Sequence, residues 1–380
     1  MQQRLRKANG RRSCVFCGAT PEQKNKEHVI PKWLIKATGN TREPVPLGVN
    51  FSTSPPTPRR YPLMSLVLPA CEMCNASFAK LEALTAPIVR AILSREHLVE
   101  NQLHFLLDWF DKVRIGLWLW ELSTSRSMYK IEPNFHVEQR IGQKDRLLLM
   151  VFIEDNLSGL KLFGTNTFSF SFAPCCFGMV VNNVAFLNIS YDFMLSRQLG
   201  FPFVGDIKAL GKGKKDFGLL QEGTAKVSPP MLPGRLQLPG AVFGQCSFAH
   251  ADGSEEIRCL YDTDFVRRHS GSMEGASSIF VGHGRDVTTF RDMQGSIYDI
   301  AGRAQRYDRD IGAGLPLEVF RIQRDIMNRW PDPSWGGDKF GATIKSNKKH
   351  ALGQLQSLIE PLQRARISPY LGWHPLILGR

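Results

Sequence analysis

"KEHVIPKWL", residues 26–34, sets an acid and a histidine side by side, follows them with an apolar pair, and closes on proline and tryptophan. Whether Glu27 and His28 are a working pair or two surface residues ahead of a short helix depends on what brackets them. Upstream stands "CVFCG" with Cys14 and Cys17; downstream stands "LVLPACEMCN" with Cys71 and Cys74. Two C-x-x-C pairs can supply four thiolates to one tetrahedral zinc ion, each pair bending round the metal from a tight turn. Four sulfurs leave no open position for water, so such an ion braces the chain and does no chemistry of its own. The other four cysteines, Cys175, Cys176, Cys246 and Cys259, lack that spacing. Adjacent Cys175 and Cys176, in an apolar stretch, read as small buried hydrophobes.

Charge points the same way as the cysteines. The chain of 380 residues carries a net charge of +13. Residues 1–60 alone hold twelve Lys and Arg against three acids. A field of that sign attracts a polyanion, and nucleic acid is the commonest one in a cell. Nowhere is there an apolar run of about 18 residues, the minimum for a membrane-spanning helix. The nearest candidate, "LHFLLDWFDKVRIGLWLWEL" from Leu103, is broken by Asp108, Asp111, Lys112 and Arg114 and reads as a buried helix. The charged start "MQQRLRKANGRRSC" has no apolar segment behind it, so no secretion signal is expected, and the expected compartment is the cytoplasm.

Along the chain, "TREPVPLGVNFSTSPPTPRRYP" (41–62) reads as a loop or extended insertion, because proline denies it both helix and central strand. "LMSLVLPAC" reads as a short strand delivering the second cysteine pair. "NASFAKLEALTAPIVRAIL" (75–93) is helical, with Phe78, Leu81, Leu84 and Ile88 as its apolar stripe and Pro87 as a kink or stop. A strongly apolar helix covers 100–122. Runs such as "RLLLMVFIED", "GLKLFGTNTFSFSFA" and "FGMVVNNVAFLNISY" predict antiparallel strands between 128 and 192. Residues 205–240, rich in Gly, Lys and Pro, read as a loop or linker, and the last hundred residues return to helix. The expected fold is α+β: a zinc-framed module at 1–95, then a larger domain at 96–380 with an antiparallel sheet and helices, with a possible sub-boundary at 205–240.

In the order "CVFCG", "KEHVIP", "LVLPACEMCN", residues 12–95 resemble the HNH endonucleases, whose ββα-metal core is framed by C-x-x-C pairs. The resemblance implies an acid–His pair on the first strand of a hairpin, clamped to a helix by cysteines. It implies metal-dependent hydrolysis of a phosphodiester, DNA being the expected substrate. His28 would be the general base, and Asn75 and Glu27 would hold Mg²⁺ or Mn²⁺, hard cations that suit oxygen ligands. Arg11, Arg12, Lys24, Lys26 and Lys32 would grip the nucleic-acid backbone. Glu82 is a further candidate, although it stands seven residues beyond Asn75, about 10 Å along a helix axis. The chain departs from the family pattern twice. Asn75 stands where many members carry His, and Ser65 is the nearest polar residue to the place of the middle Asn. Two other readings stay open: a zinc-framed module that binds nucleic acid without cutting it, and a chain whose main activity lies in residues 96–380.

Overall fold

In a computed structural model, residues 14–16, 19–22, 25–39, 43–50, 53, 57–124, 145–172, 174–191, 203–204, 207–211, 214–217, 220–221, 240–245, 279–283, 286–290, 295–329 and 338–367 are described. Arg11, Arg12, Cys17 and Lys24 lie outside these residues. The chain is a mixed helix-and-sheet protein; among the described residues its strands pair antiparallel, apart from one short parallel contact.

The N-terminal part is built on a two-stranded pair. Strand β1 (Asn25–His28) runs antiparallel to a strand that arrives some forty residues later, β4 (Val67–Ala70), with Glu27 opposite Leu68 and His28 opposite Val67. A short helix, α1 (Lys32–Ala37), follows β1, and α2 (Glu72–Leu93) follows β4 directly. Helix α2 starts three residues earlier than its apolar pattern suggests because Cys71 is its N-cap, accepting the Cys74 N–H on sulfur at 3.5 Å. Acidic Glu72 in the first turn suits the positive end of the helix. Pro87 lies inside the helix and does not end it. The N–H it lacks would have met the carbonyl of exposed Ala83, which solvent can satisfy. Of the expected stripe, Phe78 and Ile88 are buried and Leu81 packs against the core, whereas Leu84 is 47% exposed.

Between these pieces the proline-rich insertion forms a hairpin of its own, β2 (Pro44–Asn50) and β3 (Thr57–Pro62). Two strands have only edges, so prolines fit without breaking an inner ladder. A shift of register between Pro46 and Val49 brackets Gly48, whose φ of +74° is the left-handed conformation that glycine adopts without strain.

Helix α3 (Glu100–Thr124) is buried nearly all round, as its composition predicts. It lies on one face of an eight-stranded sheet. The strands are β5 (Asp145–Ile153), β6 (Leu160–Phe163), β7 (Cys176–Val181), β8 (Val184–Tyr191), β13 (Ala241–Gln245), β14 (Ile279–His283), β15 (Asp286–Thr289) and β16 (Gly302–Ala304). Their order is β15-β14-β13-β5-β8-β7-β6, with β16 pairing the far end of β5 in parallel. Period-2 alternation splits β5 cleanly. Leu148, Met150 and Phe152 join the core under α3, while Leu147, Leu149, Val151 and Ile153 join a second core on the other face. That second face is covered by α4 (Gly314–Arg329) and α5 (Asp338–Ile367). The core under α3 is continuous with that of the N-terminal part, running from Cys14 through Phe78 and Trp109 to Phe243 and Ala301.

Three local expectations fail. The last hundred residues, read as helix, begin with strands β15 and β16 of the large sheet. "FSFSF" alternates like a strand yet forms a short helix, Phe168–Phe172. Thr167 explains it: its hydroxyl accepts the Phe170 N–H, and its carbonyl accepts the Ser171 hydroxyl, giving this turn local partners that outcompete a strand ladder. In the stretch read as linker, "IKALG" and "KKDF" form strands β10 (Ile207–Gly211) and β11 (Lys214–Phe217) of an antiparallel hairpin. Residues 203–204 and 220–221 add a short outer pairing as β9 and β12. Cys175 and Cys176 are buried, as expected.

Candidate functional site

The cysteines come together as their spacing suggests. The sulfur atoms of Cys14, Cys71 and Cys74 all lie within 4.8 Å of one another, and all three residues are buried. Cys14 sits in a turn whose N–H donates to Ala19 O, and the next residue ties that turn to β4 through Val15 N–H to Pro69 O at 3.1 Å. Phe16 then meets Phe78 of α2 edge to face, with ring centroids 4.7 Å apart. Thiolates around one tetrahedral zinc stand about 3.8 Å apart, given Zn–S bonds near 2.3 Å. The three described cysteines therefore fit three corners of such a site, and all three fall on the elements that join the turn, β4 and α2.

On the same β1–β4 pair, Glu27 and His28 point to opposite sides, as neighbours on a strand must. Glu27 is buried and faces α3. Its Oε1 stands 2.5 Å from Lys112 Nζ, and Glu82 Oε1 stands 2.6 Å from the same nitrogen. Glu82, too distant from Asn75 along the helix to share its role easily, is thus brought to Glu27 through a lysine. Lys112 also donates to the backbone oxygen of His28 at 2.8 Å and reaches that of Val29 at 3.5 Å. Its side chain is 1% exposed. Burial pushes the Glu27 carboxyl up from its ordinary value, while the charge and hydrogen bond of Lys112 pull it down, and Glu82 adds a smaller upward push.

His28 is half-buried, and its Nδ1 is buried with no partner among the described residues. Desolvation lowers its pKa, and the positive charges of Lys32, Lys112 and Lys26 lower it further. A neutral imidazole at neutral pH can accept a proton, as a base must. Lys26 shares the His28 side of β1, being two residues away on the strand. Lys32 opens α1 just beyond Pro31. A base flanked by two ammonium groups is an arrangement that suits an anionic substrate.

Asn75 is half-buried in the first turn of α2, its N–H bonded to Cys71 O. The expected divalent-ion pair, Glu27 with Asn75, is not a ready site. One oxygen of Glu27 is already committed to an ammonium, and a fixed positive charge at that spot opposes a second cation. These two residues do not fit the expected Mg²⁺ or Mn²⁺ as placed. Ser65, the polar residue nearest the place of the missing middle Asn, donates to Pro62 O. Trp33 packs on Trp109, ring centroids 6.0 Å apart, and is part of the core packing. His104 is buried on α3, and His283 ends β14 in an ordinary hairpin.

Lys112 is the residue that the sequence did not yield. Its signal was a charge inside an apolar helix, which must be paired when buried. The partners stand far away in the chain, and no spacing rule links them.

Neither a protein-family model, nor a curated protein, nor a solved structure matches the chain. Its functional reading therefore rests on its own residues. Among the described residues, no helix is long and apolar enough to cross a membrane.

Proposed function

We propose that the chain is a zinc-framed HNH-type endonuclease that hydrolyses phosphodiester bonds in nucleic acid, with DNA as its working substrate. The observation carrying this reading is the position of His28. It ends a strand paired to β4, whose other end runs into the Cys71–Cys74 corner of the thiol cluster, and Lys26 and Lys32 stand beside it. In the reaction, His28 takes a proton from water as the water oxygen bonds to phosphorus and the bond to the leaving oxygen breaks. Lys26 and Lys32 hold the phosphodiester and oppose the charge that builds on it. A zinc ion at Cys14, Cys71 and Cys74 would supply bracing alone, fixing the turn, β4 and α2 as one unit.

Purified protein incubated with plasmid in Mg²⁺, Mn²⁺ or chelator tests the reading. Wild type should nick or linearise DNA. His28→Ala should lose cleavage while keeping its zinc content and its affinity for DNA, and undiminished cleavage by that variant sinks the mechanism. The ion pair between Glu27 and Lys112 favours a second reading, a module that binds nucleic acid without cutting it. Wild type that shifts DNA and leaves it uncut in every condition would establish that reading.

A further inference from the structure

We infer that Lys112, on α3, is a positioning residue for His28. This rests on the nuclease reading above and adds to it a residue from outside the cysteine-framed segment.

Four oxygens surround the Lys112 ammonium: Glu27 Oε1, Glu82 Oε1, His28 O and Val29 O, at 2.5, 2.6, 2.8 and 3.5 Å. An ammonium has three N–H donors, so it is fully used and has none to offer a substrate. It therefore acts through its neighbours. The two carboxylates make its burial tolerable, and the contact with His28 O is what turns a buried ion cluster into a device for the base. A charge-assisted bond to the peptide that leaves His28 fixes where that strand ends and how its last side chain is presented. Beyond the β1–β4 ladder, one other backbone tie among the described residues holds this spot: Val29 N–H donates to Leu66 O at 2.9 Å.

The helix is shaped for the approach. Gly116 lies one turn beyond Lys112 on the same face, and a Cβ there would stand 3.1 Å from Val29 Cγ1. Helix α3 can press on the loop after His28 because residue 116 has no side chain. Lys112 and Gly116 thus meet consecutive residues, His28 at the end of β1 by hydrogen bond and Val29 just after it by close packing.

Lys112→Met alone strands two buried carboxylates, a change that itself threatens folding. The test compares full-length Lys112→Met/Glu82→Gln with Glu82→Gln, so that the pair differs only in the lysine. With zinc content and thermal midpoint matched, kcat for plasmid cleavage should fall about 100-fold from the single to the double variant, with KM within about threefold. Equal kcat in the two variants overturns the inference, as does a loss confined to KM. Gly116→Ala is the second arm, and it keeps every charge. It should lower kcat about tenfold at unchanged KM, and wild-type kcat counts against the inference. Amide exchange at Val29 separates this inference from the nuclease reading. If wild type cuts nothing, that reading fails. Faster Val29 exchange in the double variant than in Glu82→Gln then still supports positioning by Lys112, and equal exchange overturns it.

Discussion

Gly48 and Glu121 approach so closely that a Cβ at position 48 would stand 2.8 Å from Glu121 Cγ. The contact ties the β2–β3 hairpin to α3, and it is reinforced nearby. Gly48 N–H donates to Thr165 O at 3.0 Å, and the Thr165 hydroxyl donates to Pro46 O at 2.6 Å. Gly48→Ala combines a left-handed backbone with a clash, so it should cost about 2–4 kcal/mol of stability. Urea unfolding measures it, and an unchanged midpoint would mean that the hairpin is held elsewhere.

Glu121 also makes stability depend on pH. Burial holds its carboxyl up to about 7, against an ordinary 4.5, and the Ser171 hydroxyl, donating at 2.6 Å, offsets this only in part. Between those two values the folded chain keeps a proton that the unfolded chain releases. Stability therefore falls as pH rises through that window, by up to about 3 kcal/mol from this residue. Glu121→Gln removes the titration and keeps a neutral side chain. Thermal midpoints from about pH 4 to 8 should decline more steeply in wild type than in the variant, and parallel curves would refute the assignment.

The thiol cluster predicts a metal-dependent fold at the N-terminus. Purified wild type should carry one zinc per chain, and a strong chelator should lower its unfolding midpoint. Cys74→Ser should carry little zinc and should already melt near the chelated wild-type value, with no further loss on adding chelator. A variant with full metal content would remove Cys74 from the ligand set.

Asp111 and Arg114 form a buried pair on α3, 2.5 Å apart, and Arg114 also donates to Asn188 of β8 at 2.8 Å. Asp111→Ala leaves a buried guanidinium short of its carboxylate and should cost about 3–5 kcal/mol. Asp111→Ala/Arg114→Met should cost less than the single change, because no unmatched charge is left. Denaturant unfolding of both variants checks the order, and a double variant weaker than the single would contradict it.

What could be read from the chain, and what could not, follows from the range of the interactions. Cys14, Cys71 and Cys74 are found by local spacing, since each C-x-x-C is its own signal. Helix α3 follows from its apolar composition, and strands β5 to β8 from their apolar runs, because burial imposes such patterns on consecutive residues, whereas β15 and β16 lie in a stretch that reads as helix. "FSFSF" defeats that rule, since Thr167 and Ser171 give a one-turn helix hydrogen bonds that the alternation of Phe and Ser does not reveal. The hairpin at 207–217 was hidden by its glycines and lysines, which serve a two-stranded ladder as well as a linker. Lys112 is the clearest limit. Its place depends on Glu27, His28, Val29 and Glu82, gathered by tertiary packing alone.

Lys112 and Arg114 are two residues apart on α3, hence about 200° apart around its axis. The first is fastened to the end of β1 and the second to β8 and to Pro174 O. The helix is therefore locked against rolling, like a shaft keyed on both sides. Its two anchors leave the peptide after His28 and strand β8 sharing one rigid element, held by buried charge on opposite sides.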